Sequence, residues 1–84
     1  MGTMTVTILL FASIAEKVGK RRIDLSLSPG ETVAQVCERL AWAHPQMRPY
    51  VPNLLYALDE EYVKADAIVT DGATLALIPP VSGG

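Results

Sequence analysis

From Thr5 to Phe11 the chain reads Thr-Val-Thr-Ile-Leu-Leu-Phe, a run of β-branched and large apolar residues with little alternation. That pattern predicts a central strand buried on both faces. Ser13 to Val18 predicts a short helical turn, closed by Gly19 as a left-handed cap. Ile23-Asp24-Leu25-Ser26-Leu27-Ser28 then alternates apolar and polar cleanly, the signature of a half-buried antiparallel strand. After the turn residues Pro29-Gly30, Thr32 and Gln35 have the spacing of a capping box, in which each side chain reaches the other's backbone N–H. Val33, Val36, Cys37, Leu40 and Ala41 recur at i, i+3, i+4, i+7 and i+8, so one apolar stripe predicts a helix from about Val33 to Ala43. Pro45 stops it.

Pro45, Pro49 and Pro52 predict an irregular crossover. Leu54 to Leu58 reads as a strand, Asp59-Glu60-Glu61 as a charged turn and Tyr62-Val63 as a short return strand. Ala65 to Thr70 is weakly patterned, Asp71-Gly72 marks a turn, and Thr74 to Ile78 is a last strand. A long crossover separates the first strand from the last. If they lie side by side at the centre they run parallel. The order predicts an α+β fold: a mixed sheet with one main helix packed across it, the β-grasp arrangement of ubiquitin-like proteins, and an extended C-terminal tail. The expected division is a domain over 1–78 and a tail over 79–84.

Composition changes this picture in one respect. Eighty-four residues allow one domain, which buries only roughly 60–65% of its unfolded surface. Yet half the residues are apolar, and counting glycine lifts the share above the usual range of about 45–50%. The surplus predicts apolar surface left outside the core, which in a soluble protein marks a partner interface. A net charge of −2 argues against nucleic acid as that partner. Val6 to Ala12 is too short to span a bilayer and lacks a basic leader or cleavage site, so no membrane, no export and a cytoplasmic location are expected. The start fails the myristoylation pattern at Val6, and Met4 is an alternative first residue. A single cysteine fits a reducing compartment.

Candidate chemistry in the body is sparse. Cys37 sits in the helix stripe, so a buried packing thiol is favoured over a reactive one. His44 closes the helix, where the dipole favours a cation, with no second His or Cys nearby to share a metal. Three consecutive acidic residues, Asp59 to Glu61, point in different directions from a hairpin and read as a solvated turn rather than a cation site; no metal is expected. Lys17, Lys20, Arg21 and Arg22 form a basic cluster that is either a docking patch or, the favoured reading, a solvated turn.

The chemistry concentrates in Pro79-Pro80-Val81-Ser82-Gly83-Gly84. Pro79 and Pro80 fix φ near −65°, lack backbone donors and direct the segment off the domain in extended form. Gly83 and Gly84 have no Cβ, so their backbone fits a channel too narrow for any side chain. Two closing glycines are expected by chance in about one sequence in two hundred, taking glycine at roughly 7% of residues. The terminal carboxylate is ionised at neutral pH and its oxygen is a nucleophile, but it becomes an acyl donor only once one oxygen is a leaving group. Attack on the α-phosphate of ATP supplies that group. Another enzyme would hold the nucleotide, because this chain has no phosphate cradle. The tail therefore reads as a substrate handle, against the plainer alternative of a frayed end or cut linker.

These residues carry a family resemblance. Leu75-Ala76-Leu77-Ile78-Pro79-Pro80-Val81-Ser82-Gly83-Gly84, preceded by Asp71-Gly72, resembles the C-terminus of the small subunits of molybdopterin synthase, sulfur carriers of molybdenum cofactor biosynthesis. Leu10-Phe11-Ala12 with Glu16 and Gly19, and Glu61-Tyr62-Val63, are similar to the family's first strand and hairpin. The chain departs from the pattern at Ala73, where an acidic residue is common, and at Asp59, where Asn is. The resemblance implies that a ubiquitin-activating-type enzyme adenylates Gly84 with Mg-ATP and that a sulfur donor replaces AMP to leave a thiocarboxylate. It also implies a heterotetramer in which two small subunits, binding no cofactor of their own, thread Val81 to Gly84 into the large subunit. There sulfur passes to cyclic pyranopterin monophosphate, with catalytic side chains supplied by the large subunit. Three rivals remain: a thiamin-type sulfur carrier, a ubiquitin-like protein modifier and a plain interaction module.

Overall fold

A computed structural model describes residues 3–80. The first strand, β1 (Met4–Leu10), is followed by α1 (Ala12–Val18), β2 (Arg22–Leu27) and α2 (Val33–Ala43). Two single 3₁₀ turns, Pro45–Met47 and Val51–Asn53, carry the proline-rich crossover to β3 (Leu55–Leu58), β4 (Glu61–Val63) and β5 (Ala73–Ile78). The five strands form one sheet in the order β2-β1-β5-β3-β4. β1 and β5 are parallel at its centre, Val6 opposite Ala73 through Leu10 opposite Leu77, and every other pairing is antiparallel. This is the ubiquitin-like β-grasp.

α2 forms where its stripe and caps place it. Thr32 N donates to Gln35 Oε1 at 2.8 Å and Gln35 N to Thr32 Oγ1 at 3.3 Å, satisfying two donors that helical geometry leaves unpaired. Val33, Val36, Cys37, Leu40 and Ala41 are all buried, packed over Val6, Ile8 and Leu10 of β1 and Leu75 and Leu77 of β5. Met47, in the first 3₁₀ turn, is sealed in the same core. Among the described residues one polar side chain is also buried. Glu31 accepts from Ser28 N (3.0 Å) and from Arg39 Nε (2.7 Å), tying the β2–α2 turn to the helix.

The expectation that Thr5 to Phe11 is buried on both faces is corrected. Val6, Ile8 and Leu10 are buried, whereas Thr5, Thr7 and Leu9 are exposed or half-buried. The physical reason is that α2 covers one face only; the apolar run Ile8-Leu9-Leu10-Phe11 masks a strand whose threonines already mark an outer side. The strand ends at Leu10, and Ala12, whose φ of 52° is rare for a residue with a Cβ, turns the chain into α1.

Candidate functional site

The tail follows directly on a central strand of the sheet. β5 is hydrogen-bonded on both edges, to β1 and to β3. Its start is pinned twice more: Thr5 N donates to Asp71 Oδ1 (2.8 Å) and Gly72 N to Thr5 O (2.8 Å), with Gly72 at φ 80°. Asp59, in the two-residue β3–β4 turn, accepts from Thr74 N at 2.9 Å. β5 alternates strictly, Ala73, Leu75 and Leu77 inward and Thr74, Ala76 and Ile78 half-buried on the outer side. At its end Pro79 is buried and Pro80 exposed. Pro79 has no N–H to continue a ladder, so the last anchored residue is also where pairing must stop. Val81, Ser82, Gly83 and Gly84 lie outside the described residues.

Beside that exit the outer face of the sheet is apolar, and no described element covers it. Across the strands Leu9 lies opposite Ala76, Ala76 opposite Ala57 and Ala57 opposite Tyr62; Leu55 lies opposite Ile78. Phe11, Leu55 and Tyr62 are 45%, 47% and 74% exposed. The small side chains Ala57, Thr74 and Ala76 open a groove of about 480 Å³ between Leu9 and Phe11 on one side and Asp59 and Glu60 on the other. Large side chains flanking small ones on a flat sheet make a socket for an apolar group from outside. Sequence patterning, with the family resemblance, placed an apolar surplus on a docking face that includes exposed residues of the central strands, without naming them; counting alternate residues from Val6 would have put Leu9 and Phe11 on the outer side.

The remaining candidates fall elsewhere. Cys37 is buried in the core, and burial pushes its thiol up to about 12, only partly offset by a hydrogen bond with Tyr56. It is a packing residue. His44 caps α2, its N–H donating to Leu40 O at 2.7 Å. Asp59 and Glu60 form the hairpin turn while Glu61 opens β4, and among the described residues no cluster of His, Cys, Asp and Glu is built to hold a metal. Lys17, Lys20 and Arg21 are exposed and form no ion pair among the described residues; Arg22 meets Asp24 at 3.3 Å. Among the described residues no helix is long and apolar enough to cross a membrane.

Residues 8–84 match the ThiS family. The chain belongs to that family. Within it, the chain is 33% identical over 82 residues to the molybdopterin synthase sulfur carrier subunit of Arabidopsis thaliana, an alignment spanning 98% of this chain and 85% of the relative. It is 30% identical over 83 residues to the small archaeal modifier protein 1 of Haloferax volcanii, spanning 89% of this chain and 95% of the relative. The crystal structure of that modifier superposes on this ThiS-family chain with a TM-score of 0.86 at 28% identity, covering 95% of this chain and 99% of the other. The resemblance to molybdopterin synthase small subunits, read first from the tail and turn residues, holds over nearly the whole length.

Proposed function

We propose that this chain is the sulfur-carrier subunit of a cytoplasmic molybdopterin synthase. An activating enzyme of the ubiquitin-activating type binds Mg-ATP; the Gly84 carboxylate attacks the α-phosphorus and pyrophosphate leaves. A sulfur donor of hydrosulfide equivalence then attacks the acyl carbon, AMP leaves with the C–O bond, and Gly84 carries a thiocarboxylate. The outer sheet face, with Phe11, Leu55 and Tyr62, docks on the large subunit while Pro79 and Pro80 aim Val81 to Gly84 into its active site. Sulfur passes there to cyclic pyranopterin monophosphate, water cleaves the carbon–sulfur bond to the carrier, and the Gly84 carboxylate is restored. A dithiolene needs two sulfurs, hence two carriers in a heterotetramer whose catalytic groups belong to the large subunit.

The observation that carries this reading is the alignment of a Pro-Pro exit from a doubly anchored central strand with an apolar face beside it that no described element covers. Intact-mass spectrometry after incubation with activating enzyme, ATP and a sulfur source tests it: one terminal oxygen should be replaced by sulfur. A second reading, a protein modifier, is favoured by the likeness to the archaeal modifier. Adducts on the lysines of other proteins, with no sulfur exchange, would establish that one instead. Under the carrier reading Gly83→Val abolishes transfer and leaves the fold intact, because a Cβ at that position blocks a channel sized for glycine.

A further inference from the structure

A second groove, of about 650 Å³, opens on the far side of Phe11. Leu9, Leu10, Phe11 and Ala15 give it an apolar lining, and Lys20 and Arg21 stand at its edge together with Glu16. Its shape follows from two local events. Gly19, at φ 81°, ends α1 with its N–H on Ala15 O (2.8 Å), and Leu10 N donates to Arg21 O (2.9 Å), which brings the basic turn back against the end of β1. Four of the seven lysines and arginines in this net-acidic chain lie between Lys17 and Arg22, against two carboxylates, Glu16 and Asp24. Asp24 is already engaged with Arg22.

Leu9 and Phe11 line this groove and also the one on the outer sheet face. The two therefore adjoin at Phe11, and the surface along them is polar in charge: Asp59 and Glu60 at one end, apolar residues in the middle, Lys20 and Arg21 outnumbering Glu16 at the other. We infer that the basic groove extends the docking face and takes a partner-protein segment that presents an apolar side chain beside carboxylates. The assignment rests on the docking role of the sheet face. An apolar lining fits a protein side chain better than a sugar-phosphate backbone, and opposite charges at the two ends of one footprint fix the direction in which a partner lies, since the reversed orientation sets like charges together.

The test is calorimetric titration of the large synthase subunit encoded in the same genome with the wild-type chain and with the Lys20→Glu/Arg21→Glu double variant. Both residues are exposed, so circular dichroism and melting temperature should be unchanged. At about 50 mM salt the double variant should bind at least ~10-fold more weakly, and the gap should narrow toward ~300 mM as screening sets in. In parallel, amide shifts of the labelled wild-type chain should move at Phe11, Ala15 and Lys20 when the partner is added. Equal affinities, or shifts confined to β3, β4 and β5, overturn the extension and leave the sheet-face docking standing. Unchanged partner affinity with loss of binding to a single-stranded RNA oligomer assigns the patch to nucleic acid and likewise overturns it. A wild-type chain that shows no binding to the large subunit removes the docking reading itself.

Discussion

Leu75 and Ala76 are neighbours on one strand, yet they belong to two different surfaces. Leu75 faces α2 with no exposed area, in a layer where Val6, Ile8, Val36, Leu40 and Met47 meet it. Ala76 faces outward among Leu9, Ala57 and Leu55, where no described element covers it. The same period-two alternation thus yields a closed side that holds the domain together and an open side whose apolar residues contribute little to folding. The contrast is sharpest where the prediction is largest. Leu75→Ala should cost about 2–5 kcal/mol, the range for emptying a leucine-sized site in a packed core. Against a total of roughly 5–15 kcal/mol for a small domain, denaturant melts should show a midpoint lowered by a large fraction. A loss below about 1 kcal/mol would mean that the closed side is not the dominant source of stability.

Glu31, the one buried charged group among the described residues, gives the next effect. Burial alone raises the Glu31 carboxyl, but hydrogen bonds from Ser28 N–H and the Arg39 guanidinium outweigh it and leave its pKa below the ordinary 4.5. A carboxyl depressed in the folded state stabilises above its unfolded pKa, and the contribution is lost as pH falls from about 4.5 through the lower folded value. Glu31→Gln should therefore destabilise by about 1–3 kcal/mol at neutral pH, toward the low end because Arg39 is partly solvated, with the gap to wild type closing in acid. Thermal melts from pH 7 down to about 3 read it directly. A gap that stays constant through that range would show that the carboxylate charge is not what matters.

A smaller effect lies at the rim, where the β3–β4 turn projects beside the open face. Asp59 and Glu60 adopt φ of 49° and 71°, the pair of left-handed values that a two-residue hairpin demands and that glycine or asparagine usually supplies. Glu60→Gly relieves a left-handed penalty of about 1–2 kcal/mol and adds unfolded-state entropy costing about 0.4–1 kcal/mol, so a net gain near 0.5 kcal/mol is expected. That corresponds to a rise of roughly 2–4 °C in melting temperature.

These sites differ in how far the amino-acid order reveals them. α2 is legible because its signals are local and agree: a Thr-x-x-Gln cap, a 3.6-residue stripe and a following proline. The parallel β1–β5 pairing is legible from element order, since only a long crossover returns a strand beside its starting point. β1's open side was hidden because four consecutive apolar residues outweighed two threonines in the pattern. The Glu31–Arg39 pair joins a turn to a residue eight positions on in the helix, and no local spacing rule couples them. The hairpin's left-handed turn carries no glycine to announce it. The tail is the reverse case: Val81 to Gly84 are read from composition and chemistry, and the described residues supply only the exit, Pro79 and Pro80.

The smallest change in stability is expected on the open side, and it is the most discriminating. Leu55 and Tyr62 are 47% and 74% exposed, so truncating them removes little area buried in folding. Leu55→Thr and Tyr62→Thr place β-branched side chains at strand positions, and each should shift stability by no more than about 0.5 kcal/mol. If the open side is a docking face, the same two substitutions should weaken binding to the large synthase subunit by roughly tenfold each, a cost near 1.4 kcal/mol that appears only in the complex. Destabilisation comparable to Leu75→Ala would mean that the outer residues belong to the fold rather than to a partner. Unchanged stability with unchanged binding would leave the uncovered apolar surface beside the tail exit without a role in docking.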